Sequence, residues 1–320
     1  MAQRILEPGQ IETLAQASIP RIRLPDRTLL FARRAERLRQ LAAGSSLADY
    51  LGFLAKLVEA QHAALAHLSV PLSGQAYIER SRQHGMPPVH AATWPRTQQW
   101  RETLEFLCAA LASQSGFPAG VSEAICMLRQ ATPAWIEAQA SSILDANNEA
   151  IDVRVAPLVS AALQVQWVAL TRHFVVGEVK ALDIPGVCPL CGTLPVASMV
   201  YAHSPYQGYR YLHCALCATE WHMVRVHCSQ CGATGKGIGY HFLENNKAGK
   251  TPNEAGGPAV RAETCEQCHA YRKIFYEEKD SGVEPVADDL ASLALDLLLG
   301  EQGYHRASSN PLLWLSNASE

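Results

Sequence analysis

Four C-x-x-C pairs constrain this chain of 320 residues more than any other feature of its sequence. Eight of its ten cysteines fall between positions 188 and 268. The pairs are Cys188/Cys191, Cys214/Cys217, Cys228/Cys231 and Cys265/Cys268. One C-x-x-C turn presents two sulfur atoms to a metal ion, and two such turns complete the tetrahedral shell that zinc or rubredoxin-type iron requires. The pattern therefore predicts metal binding in this part of the chain.

Pairing the turns in sequence order predicts two metal ions per chain. The first site would take Cys188, Cys191, Cys214 and Cys217, and the second would take Cys228, Cys231, Cys265 and Cys268. The turns are 22 residues apart in the first site and 33 apart in the second, and both gaps suit a hairpin with one turn at each end. Glycine follows the first turn of each site, which frees the backbone to bend around a metal. A crossed pairing stays open here, as does the choice between iron and zinc, because four thiolates accept either ion.

Other uses of paired cysteines fit the sequence less well. Disulfide frameworks are typical of exported proteins, whereas residues 1–20 lack the apolar segment of a secretory signal, so we expect a cytoplasmic protein. We also expect no membrane insertion, because no apolar run approaches the length of a membrane span. A thioredoxin-like pair needs a βαβ unit that the sequence does not show. The sequence leaves open whether the metals only stabilise the fold or also take part in the function.

The pattern of apolar residues changes near residue 180. Before it, six stretches have helical periodicity and none reads as a strand. They are 21–44, 45–68, 98–113, 121–130, 132–146 and 151–174. After it, short aromatic and β-branched runs alternate with glycine-containing turns, which is typical of antiparallel strands. Residues 286–303 again read as a helix, and 244–258 as an exposed loop.

These patterns predict an α+β protein. An all-α helical N-terminal domain would be followed by two tandem rubredoxin-like or zinc-ribbon β modules and a C-terminal helix. The expected boundaries are 1–184 for the helical domain, 185–226 and 227–284 for the two four-cysteine metal modules, and 285–320 for the C-terminal helix and tail. Because that helix is apolar over more than one stripe, we expect it to pack back on the helical domain.

Several side chains outside the cysteine pairs carry separate expectations. Cys108 and Cys126 lie on apolar helix faces, where we expect both to be buried. Seven arginines between residues 21 and 39 favour a solvated helix face over a surface for an acidic partner. Three histidines stand directly beside cysteines, and we interpret them as neighbours of the ligands because four cysteines already complete each site. These histidines are His213, His227 and His269.

A zinc-ribbon regulator that binds nucleic acid is the main alternative function. Such a module would be strongly basic, but the net charge of this chain is −3 and acidic residues flank its cysteine-rich part. We therefore expect no nucleic-acid partner. We expect no enzyme activity either, because the sequence contains no phosphate loop, dinucleotide fingerprint, zinc-protease motif or nucleophile elbow.

The text around the cysteines resembles the FdhE family of formate dehydrogenase accessory proteins. The resemblance rests on the runs CPLCGTLPVASMV, YRYLHCALCATEWHMVRVHCSQCG, RAETCEQCHAYRK and DDLASLALD, which cover about residues 185–296. It implies a cytoplasmic bacterial chaperone that engages the catalytic subunit of respiratory formate dehydrogenase before export. It also implies rubredoxin-like centres that hold iron, with the eight paired cysteines as ligands, and it assigns no catalytic residues.

Overall fold

Helices build most of the first half of the chain and strands most of the second, as the sequence predicted. The exception is the segment before Leu30, which was predicted to be helical: Ile22 and Arg23 form a short strand that pairs with Glu220 and Trp221. The computed structural model describes residues 19–72, 74–114, 117, 119–243 and 258–313. Nearly all of the predicted loop at 244–258, and of the N-terminal segment before Pro20, lies outside these residues. A mixed α+β fold is therefore confirmed for the described part of the chain.

Seven α-helices precede the main run of strands in the described residues. They are α1 (Leu30–Ala42), α2 (Ala48–His67), α3 (Gln75–Gln83), α4 (Gln99–Ala112), α5 (Ala119–Gln130), α6 (Pro133–Leu144) and α7 (Ala156–Leu170). Helix α6 begins as its sequence predicts, since the Thr132 side chain accepts a hydrogen bond from the Trp135 amide and Pro133 occupies the first turn. Helix α3 was not predicted.

Helix α7 forms the centre of the helical part. Every residue from Pro157 to Leu170 is buried, so this helix has no solvated face. Two of its buried polar contacts are specific: the Gln164 side chain accepts from the Gln61 amide at 3.0 Å, and Trp167 donates its indole N–H to the Val89 carbonyl at 3.1 Å. The helix is therefore joined to its neighbours by apolar contact and by these two hydrogen bonds.

Eight strands form one sheet in the described residues. They are β1 (Ile22–Arg23), β2 (Pro195–Val200), β3 (Arg210–Cys214), β4 (Glu220–His222), β5 (Ile238–His241), β6 (Val260–Cys265), β7 (Ala270–Tyr276) and β8 (His305–Arg306). The order is β1-β4-β3-β2-β7-β6-β5, and β8 pairs with β7. Most pairs are antiparallel as predicted, but β2 runs parallel to β7 and β7 parallel to β8. The β2–β7 pair joins the strands around the first two C-x-x-C turns to those around the last two.

The predicted C-terminal helix is divided into two. Helix α8 (Pro285–Ala291) and helix α9 (Leu293–Glu301) meet at Ser292. Apolar side chains of α8, among them Val286 and Leu290, belong to the same core as the N-terminal helices. Leu295 and Leu299 of α9 instead pack against the sheet residues Ala262 and Tyr271. Only the first half of this segment returns to the helical part.

The solvated face predicted for the arginine-rich helix is correct for Arg33 and Arg39, which are exposed, and wrong for Arg34 and Arg37. Arg34 is 2% exposed and donates to Glu284 at 2.8 Å, and Arg37 bonds both oxygens of Asp288 at 2.7 and 2.9 Å. The acidic partner of this helix is thus the chain's own α8 and the residue before it. Removing one member of such a buried pair typically costs about 3–5 kcal/mol, because the other charge stays buried without compensation.

None of the helices in the described ranges is long and apolar enough to cross a membrane. The division of the chain into domains at residues 184, 226 and 284 stays a prediction. The sheet itself continues across the expected boundary between the two metal modules.

Candidate metal centres

The first cysteine group consists of Cys188, Cys191, Cys214 and Cys217, which lie on two turns beside strands β2 and β3. The Sγ atoms of Cys188 and Cys217 are 3.6 Å apart, and those of Cys191 and Cys214 are 3.4 Å apart. Each of the four residues is at most 1% exposed. The two turns therefore converge on one enclosed point, with the pairing that sequence order predicts.

The second cysteine group consists of Cys228, Cys231, Cys265 and Cys268, on a turn after β4 and a turn between β6 and β7. The Sγ atoms of Cys228 and Cys268 are 3.7 Å apart, and those of Cys231 and Cys265 are 3.6 Å apart. Cys231 is exposed and Cys268 is half-buried. The spacing matches the first group, but the surroundings do not.

Sulfur spacing in both groups fits a tetrahedral metal. Metal–sulfur bonds of about 2.3 Å place the sulfur atoms of a tetrahedron about 3.8 Å apart. In each group all four sulfur atoms lie within 4.8 Å of one another, and none of the cysteines is in a disulfide. Within the described part of the chain these are the two sets of histidine, cysteine and acidic side chains gathered closely enough to bind an ion.

The turns share one backbone form, which explains how the sequence builds them. The residue after each C-x-x-C pair has a positive φ angle: 77° at Gly192, 56° at Ala218, 79° at Gly232 and 53° at His269. Glycine adopts this conformation freely, as predicted for the first turn of each group. Ala218 and His269 adopt it against the usual preference of side-chain-bearing residues, so the second turns hold local strain.

Hydrogen bonds to sulfur reinforce the first group. Backbone amides of Leu216 and Cys217 donate to the Cys214 sulfur at 3.4 Å. The Cys217 thiol donates to the Thr219 hydroxyl at 3.2 Å, and this hydroxyl can donate in turn once the sulfur is ionised. Donors aimed at sulfur favour the thiolate, which is the form that binds metal. The local fold is therefore arranged for anionic sulfur.

Without an ion, the fully buried cysteines cannot all be ionised. Burial raises the pKa of the Cys188 and Cys214 thiols well above their usual range. Burial also opposes ionisation of Cys191, but hydrogen bonds with the other three cysteines hold its pKa well below the usual range. A bound cation would supply the positive charge that keeps four thiolates together.

Comparisons with known proteins agree with this architecture. Sequence models described as FdhE, N-terminal, FdhE, central domain, and FdhE, C-terminal domain match residues 19–181, 187–225 and 226–313. The Protein FdhE homolog of Cronobacter sakazakii is 38% identical over 319 residues, which is 98% of each chain. Protein FdhE of Escherichia coli strain K12 is 38% identical over 96% of each chain. The chain belongs to the FdhE family.

A solved FdhE structure has the same fold. The crystal structure of the FdhE protein from Pseudomonas aeruginosa superposes with a TM-score of 0.81 at 39% sequence identity, covering 92% of this chain and 99% of that one. The mixed fold described above is therefore shared between two FdhE-family chains.

The histidines beside the cysteines lie next to the groups, and none of them completes a cluster in the described residues. His213 is buried and its Nδ1 atom lies 3.0 Å from a Glu220 oxygen. His269 provides the strained turn position after Cys268, and its carbonyl accepts from the His305 amide at 2.8 Å. These contacts fit the predicted role as neighbours of the ligands.

Two buried arginines lie close to the second group, and sequence reasoning gave neither of them a role at a metal site. Arg210 is 1% exposed and its guanidinium lies 2.9 Å from Glu263. Arg272 is 4% exposed and donates to the hydroxyls of Ser229 at 2.8 Å and Ser308 at 2.7 Å. Burial, together with the charge of Arg210, lowers the pKa of Arg272 to about 9.

Cys108 and Cys126 remain apart from both groups. Cys108 is buried, as predicted, and burial raises the pKa of its thiol to about 12. Cys126 is exposed, so the expectation that it is buried was wrong. It lies on a face of α5 that turns away from the core, which the apolar neighbours in its sequence did not reveal.

Proposed function

We propose that this protein is an accessory protein for respiratory formate dehydrogenase that binds its catalytic subunit before export. Membership of the FdhE family along almost the whole chain carries this proposal. The role requires a surface that binds protein, and we assign no catalytic residues and no enzyme activity. We place the protein in the cytoplasm, where a subunit awaiting export would be met.

We propose that the chain carries two metal ions, one in each cysteine group. The ligands would be Cys188, Cys191, Cys214, Cys217, Cys228, Cys231, Cys265 and Cys268. Iron in such a site can change its oxidation state by one electron, whereas zinc cannot. The spacing of the sulfur atoms accepts either ion, so the choice decides between a redox role and a scaffolding role.

The face around the second cysteine group is the proposed binding surface for the catalytic subunit. Cys231 is exposed there, and the preceding residues Val224 and Val226 are 58% and 42% exposed. Apolar side chains in such positions favour contact with another protein. Arg34 and Arg37 are poorly suited to this role, because the chain's own carboxylates already bind them.

Co-purification of the formate dehydrogenase catalytic subunit with the tagged protein tests the proposal. We expect Val224→Ser combined with Val226→Ser to reduce recovery of the subunit, because this change removes apolar contact area and touches no cysteine. Arg33→Glu on α1 is the matched surface control, since Arg33 is exposed on the other candidate surface.

Three results are informative in this experiment. Loss of the subunit only in the valine variant supports the face around the second group. Loss only in the Arg33 variant moves the contact to α1. Recovery of nucleic acid in place of the subunit, abolished by nuclease, contradicts the accessory role.

A further inference from the structure

Among the described residues, every buried arginine and lysine except one has a carboxylate partner. Arg34 pairs with Glu284 at 2.8 Å, Arg210 with Glu263 at 2.9 Å, and Lys273 with Asp296 at 2.7 Å. Each of them thus has a carboxylate within contact distance. A buried charge without such a partner is strongly unfavourable, because it has lost its hydration and gained no compensation.

Arg272 is the exception, because it has no carboxylate partner. Its partners are neutral: the hydroxyls of Ser229 and Ser308 and the carbonyl oxygen of Pro195. Its Nη2 atom is buried and has no hydrogen-bond partner, and no carboxylate of the described residues forms an ion pair with it. Neutral acceptors orient a guanidinium but do not balance its charge.

The second cysteine group lies beside Arg272. A small cavity of about 10 Å³ is bounded by Arg272, Cys228 and Cys265, among other residues. The volume is near the minimum for one water molecule, so it has no room for an anion such as phosphate. The charge of Arg272 must therefore be balanced by the protein itself. Glu263 lines the same cavity and lies opposite Arg272 in the β6–β7 pair, but both of its oxygens already bind Arg210, so one carboxylate faces two guanidiniums. The cysteines are the remaining anionic groups at the cavity.

We propose that Arg272 is the counter-cation of the second cysteine group and stabilises its metal-loaded, anionic form. Four thiolates around a divalent ion carry a net charge of about −2, which a nearby guanidinium offsets. The inference rests on the proposed metal sites and adds a residue that sets the affinity of one of them. Arg272 is a positioning residue here, because it acts on the site without binding the ion.

Zinc affinity of the purified full-length chain tests this proposal. The metal-free protein competes with a chromophoric chelator for zinc, and Cys231→Ser identifies which binding step belongs to the second group. We expect Arg272→Gln to weaken that step by about 10–100-fold, the usual effect of removing a residue that supports metal ligands. The step that belongs to the first group should not move.

Two further variants separate charge from hydrogen bonding. Arg272→Lys keeps the positive charge and loses the planar guanidinium, so it should retain most of the zinc affinity. Arg34→Gln removes a buried arginine that lies in α1 and has its own carboxylate, so it should lower stability and leave both zinc affinities unchanged.

Unchanged zinc affinity in a folded Arg272→Gln variant would overturn the proposal. The proposal is also overturned if Arg272→Lys binds zinc no more tightly than Arg272→Gln does. If the Arg272→Gln variant fails to fold, the zinc affinity of Arg272→Lys is compared with that of the wild type. A large loss of affinity in Arg272→Lys would then overturn the proposal. A wild-type chain that binds no metal at the second group is a different failure, visible without any variant, and it removes the proposed metal site itself.

Discussion

The two cysteine groups arise from the same sequence pattern but lie in different surroundings. Turns of the first group are bonded to the helical part: the Val89 amide donates to the Leu190 carbonyl at 3.1 Å, and Gln164 donates to the Ala215 carbonyl at 2.8 Å. The second group lies near β5, the last strand in the order of the sheet, and one of its cysteines, Cys231, is exposed. A common ligand pattern therefore does not imply a common role.

This difference suggests that the ions in the two groups have different roles. An ion in the first group would tie helices and sheet together from inside the core, and its contribution would be mainly to folding. An ion in the second group would be reachable from solvent, beside the exposed valines and the buried Arg272. Exchange of the ion and direct contact with a partner should therefore be easier at the second group.

Loss of two ligands in the first group is the largest effect expected. Cys188→Ser combined with Cys191→Ser leaves two buried cysteines without a metal, and we expect the free energy of unfolding to fall by more than about 4 kcal/mol. Cys228→Ser combined with Cys231→Ser should cost clearly less, because that group is partly exposed. Urea denaturation measures both.

Cys126→Ser is the control for this comparison, since Cys126 is exposed and should change stability by less than about 0.5 kcal/mol. Equal losses in the two double variants would mean that the two groups support the fold to the same extent.

The two groups should release their metal ions at different rates. A chelator in excess should remove the ion of the second group about tenfold faster or more, because reaching the ion of the first group requires the core to open locally. Two kinetic phases in chelator absorbance would show this, with the fast phase missing in Cys231→Ser. A single phase that accounts for both ions would contradict the difference in accessibility.

A smaller effect is expected from the hydroxyl beside the first group. Thr219 is fully buried and its Oγ1 lies 3.2 Å from the Cys217 sulfur. Thr219→Val removes this hydrogen bond while keeping the shape, which should cost about 1 kcal/mol and weaken metal binding at the first group alone.

Thr219→Ser, which keeps the hydroxyl, should retain the affinity of the first group. If Thr219→Val instead weakens the second group as well, the two sites are coupled through the sheet rather than independent.

Local patterns predicted much of this molecule. The spacing of cysteines gave the two groups in the correct order, because neighbouring turns on a hairpin converge through short-range geometry. Thr132 followed by proline gave the start of α6. The apolar run around Trp167 gave a helix, although not that this helix is buried on every side.

The features that the sequence did not predict depend on distant contacts. The sequence analysis did not identify strand β6, because its residues are partly polar. Glu263 is buried there with Arg210 as its ion-pair partner and the Tyr240 hydroxyl as a further hydrogen-bond donor. Arg34 and Arg37 of α1 were wrongly expected in solvent because their carboxylates, Glu284 and Asp288, lie some 250 positions further along the chain. No local periodicity encodes such pairs.

Counting metal ions per folded chain tests the central claim most directly. Elemental analysis of the purified protein, with its visible spectrum to distinguish iron from zinc, should give two ions per chain for the wild type and one for Cys231→Ser. A well-folded wild-type chain with eight free thiols at the paired positions and no bound metal would contradict the claim that both groups are metal centres.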